Sequence, residues 1–351
     1  MCVMINWREP EIKDKELLDS CMQTPGSRES DYGFATMYMW RHAYTPLIAV
    51  ESDCLLVKMP QWNVYAYPKP IASTYNAESM PSRTMQNCDS RKATSTAPIS
   101  ARGSAELNPG HTDSQEEEVC NCKLDSRISN AIEDLADEAH SLGCKLLLRG
   151  LTDDTLPGFL AAYGDRFDIT EDRDNADYIY TADKLCNLPG RHLASKRNHI
   201  NKFERTGDWE LRPLISDTAL DEALAFVSLF FHEKNDPELV SEARAIEEMF
   251  EHYDELGVYS ALLYQNGKPV AWSAGTALNS RVFDVHFEKA LASAEGAYAM
   301  INREFARMIV REIPTIELFN REEDMGLEGL RRAKLSYHPD ELLMKYYARE
   351  K

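Results

Sequence analysis

The sequence lacks the features that mark membrane-spanning, secreted or zinc-finger proteins. Its longest apolar runs, such as ALAFVSLFF (223–231), fall well short of the roughly 20 residues that a membrane helix needs. The first residues, MCVMINWREP, lack the apolar core of a secretory signal, so we predict a cytoplasmic protein without a transmembrane segment. The eight cysteines are scattered and form no CxxC or Cys/His ladder, so we expect reduced cysteines and no metal site.

Positive charge is also scarce. The chain has 39 basic and 58 acidic residues, a formal net charge of −19 and a pI near 4.9. Such a chain is not expected to coat nucleic acid non-specifically, and we expect no DNA partner. A local basic patch that holds one phosphate or one RNA end remains compatible with this charge. The 351 residues, 43% of them hydrophobic, suffice for two globular domains.

One segment interrupts the pattern of a folded chain. Residues 71–123 are rich in Ser, Thr, Pro, Asn and acids and contain almost no aromatic residue. They therefore cannot bury enough apolar surface to offset the conformational entropy that folding would remove. We predict a disordered insertion there. It lies within an N-terminal domain over 1–185, and a C-terminal domain over 186–351 follows.

The second half predicts a specific order of elements. A strand at WELRPL is followed by helices over 217–233 and 238–255 and by three strands joined at NG and NS turns. A helix over 296–312, the strand TIELF, a short helix and a strand over 341–348 complete the order. This is the order of the GNAT acyltransferase fold, an α/β fold with a mixed sheet and helices on both faces.

The strand VFDVHFEKA carries unusual charge. Alternation places Asp284, His286 and Glu288 on one face and Lys289 on the other. A strand covered on both faces should be almost continuously apolar. Either this strand has a solvated face, or it forms the polar floor of a cleft in which His286 or Glu288 acts as a general base. The small residues Ala271, Ser273, Gly275 and Ala277 of the neighbouring AWSAGTA would either leave room for a ligand or admit a large side chain.

The loop after this strand, LASAEGAYAMIN, is poor in glycine. In acyl-CoA-using GNAT enzymes a Q/R-x-x-G-x-G/A loop cradles the pyrophosphate with backbone amides at a helix N-terminus. Here the loop has one glycine, Gly296, and Glu295 precedes it. A carboxylate would repel a pyrophosphate, so the loop argues against a conventional acetyl-CoA site.

Two charged stretches complete the candidate site. RHLASKRNHINKFER (191–205) is either a solvated basic helix or a helix that binds phosphate or an RNA end. In FNREEDMGLEGLRRAKLSY (319–337), a helix beginning near Gly326 would turn Leu327 and Leu330 toward the core and draw Lys334 inward. Lys334 would then need a carboxylate partner.

The carboxylates available to Lys334 are Glu322, Glu323 and Asp324, although Asp324 also suits a helix cap. Asn320 and Arg321 follow a strand end, where α/β folds commonly place ligand contacts. A purely structural ion-pair network would explain the same pattern.

Four segments together resemble a known family. SKRNHINKFER, HFEKA, GAYAMINREFA and NREEDMGLEGLRRAKLSYHP are similar to the phosphatidylglycerol lysyltransferase C-terminal domain family, in its short soluble branch, over most of 186–351. The N-terminal half also resembles that branch, apart from 71–123. The resemblance implies two tandem GNAT-like domains, each a mixed, mostly antiparallel sheet flanked by helices. Membrane-bound members transfer an aminoacyl group from tRNA to a lipid head group and carry a large transmembrane region, which is not found in this sequence.

These observations lead to one functional hypothesis with two alternatives. We expect an acyltransferase that uses aminoacyl-tRNA as donor, needs no cofactor, and acts on an amine, a hydroxyl or a lipid head group. The alternatives are an acyl-CoA-dependent N-acyltransferase and a non-catalytic protein that binds a ligand or an RNA end. The catalytic candidates are His286, Glu288, Lys289, Arg321 and Lys334. The substrate-binding candidates are Arg197, Asn198, Lys202, Asn302, Asn320, Glu322, Asp324 and Tyr337.

Overall fold

The computed structural model describes residues 5–72, 124–234 and 240–351, without the side chains of 232–234. The predicted insertion lies outside these residues, except for its first two positions. The elements of the first half, in chain order, are α1 (Lys15–Cys21), α2 (Phe34–Met39), α3 (Arg41–Tyr44), β1 (Leu47–Glu51), β2 (Cys54–Met59), β3 (Val64–Ala66), β4 (Lys69–Pro70), α4 (Ser126–Ser141), β5 (Leu147–Thr152), α5 (Leu156–Tyr163), β6 (Phe167–Glu171) and β7 (Asp177–Thr181).

The second half continues with helices packed on a longer sheet. Its elements are α6 (Ala182–Asn187), α7 (Ala194–Arg205), β8 (Trp209–Pro213), α8 (Asp217–Lys234), α9 (Val240–Glu251), α10 (Tyr253–Leu256), β9 (Tyr259–Gln265), β10 (Lys268–Ala277), β11 (Val282–Ala290), α11 (Ala297–Glu312), β12 (Leu318–Asn320), α12 (Glu328–Leu335), β13 (Glu341–Leu343) and β14 (Lys345–Glu350). The order predicted for this half is therefore observed, except that the helix predicted over 238–255 is two helices, α9 and α10, and the last predicted strand is β13 and β14.

The strands form two mixed sheets. One has the order β1-β2-β3-β5-β14-β6, with β4 beside β2, and the other has the order β13-β7-β12-β11-β10-β9-β8. Within the described residues, the parallel pairs are β3 with β5 and β11 with β12, and the remaining pairs are antiparallel. This confirms the predicted α/β class with two mixed, mostly antiparallel sheets flanked by helices.

The two sheets exchange strands. β7 precedes the boundary predicted near residue 185, yet it pairs with β12 and β13 of the second sheet. β14 is the last strand in the chain, and it inserts between β5 and β6 of the first sheet. The run over 341–348, predicted as one strand, is two strands because the chain leaves one sheet at Leu343 and enters the other at Lys345. The exact domain boundary remains a prediction.

Buried charges meet where the chain crosses between the sheets. Lys345 is 1% exposed and Asp177 is 0% exposed, and Lys345 Nζ lies 2.9 Å from Asp177 Oδ1. Lys345 also pairs with Asp31. The second oxygen of Asp177 accepts hydrogen bonds from the Ser30 amide (2.8 Å) and from Asn320 Nδ2 (2.9 Å). Burial alone would lower the pKa of Lys345, but Asp177 and Asp31 raise it above its ordinary value.

One residue predicted to face the core does not. Leu327 is 50% exposed because α12 begins at Glu328, two residues later than predicted, and leaves Leu327 as its N-cap residue. The apolar stripe predicted for this helix was therefore offset.

We predict that Lys345→Met lowers the free energy of unfolding by about 3–5 kcal/mol, because the buried Asp177 and the partly buried Asp31 lose their shared counter-charge. Adding Asp177→Asn should recover part of this loss. Arg212→Met is the matched control, since Arg212 pairs with Glu210 at the surface and should change stability by less than about 1 kcal/mol. Urea denaturation measures all three variants, and equal effects of Lys345→Met and Arg212→Met would contradict the prediction.

Candidate functional site

The candidate site lies in a gap between β11 and the chain that follows β12. The two strands pair over Val282–Asp284 and Leu318–Asn320, and β11 then continues to Ala290 while its partner leaves the sheet. The departing chain turns at Glu322, which has a left-handed backbone (φ 55°). Two side-chain links cross the gap, one from His286 to Glu322 and one from Glu288 to Arg321.

Glu288 is at the centre of the first group of polar residues. Its Oε1 accepts a hydrogen bond from Arg321 Nη2 (3.2 Å) and its Oε2 accepts one from Asn302 Nδ2 (3.0 Å). Among the described residues, buried Arg321 Nη1 and buried Asn302 Oδ1 have no hydrogen-bond partner. One unused donor and one unused acceptor therefore flank the Glu288 carboxylate. We call Glu288, Arg321, Asn302, Lys196 and Tyr337 the Glu288 group.

Tyr337 and Lys196 complete the Glu288 group. The ring of buried Tyr337 has Lys196 Nζ 4.0 Å from its centroid and Arg321 Cζ 5.0 Å from it. Lys196 has no carboxylate within ion-pair distance in the part of the chain that the structure describes. The pKa of its ammonium is lowered to about 8, first by burial and then by the Arg321 cation, against an opposing effect of Glu288.

Sequence reasoning did not select Lys196, although the signal was present. Lys196, Ile200 and Phe203 recur at helical spacing, and the latter two are fully buried. Lys196 therefore lies on the inward stripe of α7 rather than on its solvated face.

A second group of acids surrounds His286. The ring nitrogen Nδ1 of His286 lies 2.9 Å from Glu322 Oε1 and 3.6 Å from Asp284 Oδ2, and Nε2 lies 2.9 Å from Thr276 Oγ1. Burial, reinforced by Glu322 and Asp177, raises the pKa of Asp284 well above its ordinary value. Burial also raises the pKa of Glu323 to about 7, although Lys345 opposes the shift. We call Asp284, His286, Glu322 and Thr276 the His286 group.

An irregularity in the sheet creates the His286 group. The register of β10 and β11 shifts between Ala274 and Gly275, so that His286 has no partner residue and Thr276 pairs with Asp284. Bulges of this kind are common beside functional sites because they redirect side chains. A Cβ at Gly275 would lie 2.1 Å from the carbonyl oxygen of Asp284, so this glycine permits close strand approach. Of the two alternatives left open for this face, a ligand or a large side chain, the second holds at Gly275, where the Phe283 ring lies 2.5 Å from that Cβ position.

Lys334 is buried as predicted, but its predicted carboxylate partner is wrong. Its Nζ donates to the backbone carbonyls of Arg321 (2.6 Å), Glu322 (3.1 Å) and Glu323. Burial lowers the pKa of Lys334 below its ordinary value, although Glu323 and Glu322 act against this. Lys334 thus fixes the backbone turn that carries Arg321 and Glu322.

Asp324 is occupied by structural contacts. It accepts hydrogen bonds from Arg331, Arg173, the Tyr178 hydroxyl (2.5 Å) and the Gly326 amide. Burial alone would raise the pKa of Asp324, but the bonds from Arg331 and Tyr178 hold it well below its ordinary value. Asp324 therefore anchors α12 and does not face the gap.

The remaining candidates lie outside the two groups. Lys289 lies on the face of β11 opposite to Glu288 and pairs with Glu242 (2.6 Å). The prediction that Asp284 and His286 share the face of Glu288 was wrong, because the bulge at His286 reverses the alternation and turns them to the face of Lys289. Arg197 donates to the carbonyls of Leu188 and Gly190, and Lys202 pairs with Glu295 at the surface. Asn198 is exposed on α7, and Asn320 bridges Asp177 and the Arg28 carbonyl.

Helix α7 covers the N-terminus of α11. A Cβ at Gly296, which caps α11, would lie 2.3 Å from the carbonyl oxygen of His199 and 3.2 Å from Cβ of Phe203. The capping position therefore touches protein backbone, and the surface pair of Lys202 with Glu295 lies beside it. A pyrophosphate at this helix end would have to displace α7.

Comparison with known proteins shows the family. A model of the phosphatidylglycerol lysyltransferase C-terminal region matches residues 124–349, more than half of the chain. The chain belongs to this family, which confirms the resemblance seen in the sequence. Membership of this family supports an acyltransferase-type function.

Three similar proteins show how much of the chain has known relatives. A conserved protein of unknown function from Bacteroides thetaiotaomicron is 29% identical, with a TM-score of 0.77 over 99% of this chain and 100% of that one. The structure of L-PGS from Bacillus licheniformis is 17% identical, with a TM-score of 0.43 over 63% of this chain and 72% of that one. An uncharacterized protein of Mycoplasmoides gallisepticum is 22% identical over 49% of this chain, and the match spans about half (55%) of that relative's length.

The helices were also compared with the length and hydropathy that membrane spans require. Within the described ranges, none is both long and apolar enough to cross a bilayer.

We predict that Lys196→Met raises the melting temperature at pH 7. A lysine whose pKa falls from 10.5 to about 8 on folding lowers the free energy of unfolding while it is protonated. This loss of stability is complete below pH 8, where the folded and unfolded chains both bind the proton. It disappears between pH 8 and 10.5, because the folded chain has then released the proton and no longer holds a buried charge. The advantage of the variant should therefore shrink over that range.

Thermal melts between pH 7 and 10.5 measure this effect. Lys202→Met, at an exposed position of the same helix, is the control and should change the free energy of unfolding by less than about 0.5 kcal/mol. A Lys196→Met advantage that does not depend on pH would contradict the prediction.

Proposed function

We propose that the protein transfers an aminoacyl group from aminoacyl-tRNA to an amine or hydroxyl acceptor, with a lipid head group among the acceptors to be tested. The observation that carries this proposal is the pair of unused polar atoms beside Glu288. Arg321 Nη1 needs an acceptor and Asn302 Oδ1 needs a donor. An aminoacyl ester offers both, since its carbonyl oxygen accepts hydrogen bonds and its ammonium group donates them.

The chemistry follows from that placement. The acceptor oxygen or nitrogen forms a bond to the ester carbonyl carbon, and the bond from that carbon to the ribose oxygen breaks. Glu288 takes the proton from the acceptor, and Arg321 stabilises the oxyanion that develops on the carbonyl. Lys196, with its lowered pKa, supplies a proton to the departing ribose oxygen. An ester is already activated, so positioning by Tyr337 and Asn302 supplies most of the rest.

The other predicted residues take smaller parts in this proposal. His286 is fully enclosed and contacts Glu322, so Glu288 is the stronger candidate for the base. Lys334 positions Arg321 by donating a hydrogen bond from its ammonium group to the backbone carbonyl oxygen of Arg321. Asn198 and Lys202 lie on the outer face of α7, where they can meet the RNA end.

The acyl-CoA alternative has less support. The loop before α11 has a single glycine, and the carbonyl of His199 packs against it. Thermal shift with coenzyme A separates the two hypotheses, since a ligand at one hundred times its Kd stabilises a protein by about 2.7 kcal/mol. We expect no stabilisation.

The direct test supplies labelled aminoacyl groups on a panel of charged tRNAs to a cell extract that contains lipids and soluble amines. We expect label to move to one acceptor class with at least one charged tRNA. No transfer from any charged tRNA, together with transfer from acetyl-CoA, would disprove the aminoacyl-tRNA proposal.

We predict that Glu288→Gln lowers the rate of transfer by about 10²–10⁴-fold, because the base is lost. Arg321→Met should lower it by about 10²–10³-fold, because the oxyanion loses its donor. Glu317→Gln removes a surface carboxylate paired with Arg281 and is the matched control, with an unchanged rate expected. Steady-state transfer rates of folded variants measure these effects, and a Glu288→Gln enzyme as active as the control would reject Glu288 as the base.

A further inference from the structure

The His286 group has a role that the transfer chemistry leaves open. One oxygen of Asp284, one of Glu322 and a ring nitrogen of His286 all lie within 4.8 Å of one another. The measured separations from His286 Nδ1 are 2.9 Å to Glu322 and 3.6 Å to Asp284. Two ligands held at about 2.1 Å from a tetrahedral zinc ion lie about 3.4 Å apart. The three side chains therefore have the spacing of a three-ligand metal site.

Asp284 supplies an independent observation. Its side chain is 0% exposed, and its Oδ1 has no hydrogen-bond partner among the residues that the structure describes. The polar contacts of its Oδ2, within the described ranges, are the Thr36 hydroxyl at 3.5 Å and His286 Nδ1 at 3.6 Å. A fully buried carboxylate is costly unless it is paired with a cation or accepts hydrogen bonds. Asp284 therefore lacks the compensation that a bound cation would provide.

The second nitrogen of His286 is held as in metal-binding histidines. Its Nε2 lies 2.9 Å from Thr276 Oγ1, in the buried interior of the sheet. Metal-ligating histidines almost always use the remaining ring N–H for a hydrogen bond, which fixes the ring and its tautomer. In the tautomer with the proton on Nε2, that N–H donates to Thr276 and the lone pair of Nδ1 faces the two carboxylates, so a cation between these three groups would be stabilising.

The surrounding charges do not neutralise these acids. Lys345 is already shared between Asp31 and Asp177, and the Nζ of Lys334 is bonded to backbone carbonyls. The carboxylates in or beside this interior, among the described residues, are Asp31, Asp177, Asp284, Glu322 and Glu323, and the cations are Arg149, Lys334 and Lys345. Arg321 lies nearby but is already paired with Glu288.

We propose that Asp284, His286 and Glu322 form a binding site for one divalent transition-metal ion of the zinc class. The imidazole ligand disfavours Mg²⁺ and Ca²⁺, which prefer oxygen ligands throughout. The ion neutralises the excess carboxylate charge and ties the turn at Glu322 to β11. The ligands escaped the sequence analysis because β11 supplies two of them and the chain 36 residues later supplies the third.

The test measures zinc binding directly. The full chain, freed of any affinity tag, is dialysed against EDTA and then against buffer, and ZnCl₂ alone is added. We expect one zinc ion per chain that responds to mutations in this group, together with a rise in melting temperature. Asp284→Asn and His286→Gln should each lower the zinc affinity at least ~10-fold, and Thr276→Val should lower it by about 10–100-fold through loss of the second hydrogen bond.

A matched control uses another carboxylate–histidine group, at Glu248, Glu251 and His252, which lies closer to the surface. Glu251→Gln should keep the wild-type zinc affinity. Melts in EDTA establish that each variant is folded, and Thr276→Val decides the matter if the ligand variants do not fold. The proposal is overturned if the wild-type protein neither binds nor is stabilised by zinc, because a protonated imidazole then holds the carboxylates. It is also overturned if zinc binding is lost in Glu251→Gln but unchanged in the His286 group variants.

Discussion

The buried ion pair between Lys345 and Asp177 holds the two sheets in one arrangement. Lys345 begins the strand that enters the first sheet, and Asp177 begins a strand of the second sheet. A single buried charge without a counter-charge would strongly destabilise the fold, so Lys345 and Asp177 must both be in position. The Ser30 amide and Asn320 Nδ2 extend this requirement to the N-terminal segment and to the end of β12. The position of the gap beside β12 therefore depends on this contact.

The gap owes its chemistry to a strand pair that separates early. Past Asp284, β11 stays paired with β10 but has no partner on the β12 side, and its polar side chains meet the turn that follows Asn320. Lys334 holds that turn through three carbonyl oxygens, so a buried cation sets the geometry without forming an ion pair. The Glu288 group and the His286 group are consequently fixed by backbone contacts behind them, which favours precise positioning over flexibility.

Much of this arrangement could be predicted from the sequence. The alternation in VFDVHFEKA correctly separated Glu288 from Lys289, because side chains in a strand point to opposite faces. It wrongly placed Asp284 and His286 on the face of Glu288, because the bulge at His286 reverses the alternation. The inward turn of Lys334 followed from helical spacing. The hydrogen-bond partners of Lys334 could not be predicted in this way, because they are backbone carbonyls, which every residue has regardless of its side chain. Asp324 and Arg197 were selected for their charge, but tertiary contacts with Arg331 and with the Leu188 carbonyl occupy them.

The sequence by itself determined the family, the order of elements and the strand that carries the site, because periodicity and motifs are local properties of the chain. Tertiary structure decided which charges meet. β14 returns to the first sheet, a bulge brings Thr276 to His286, and α7 packs Lys196 over Tyr337. These contacts join residues far apart in the chain, and the desolvation of charge makes them selective, because a buried ion is stable only beside particular partners.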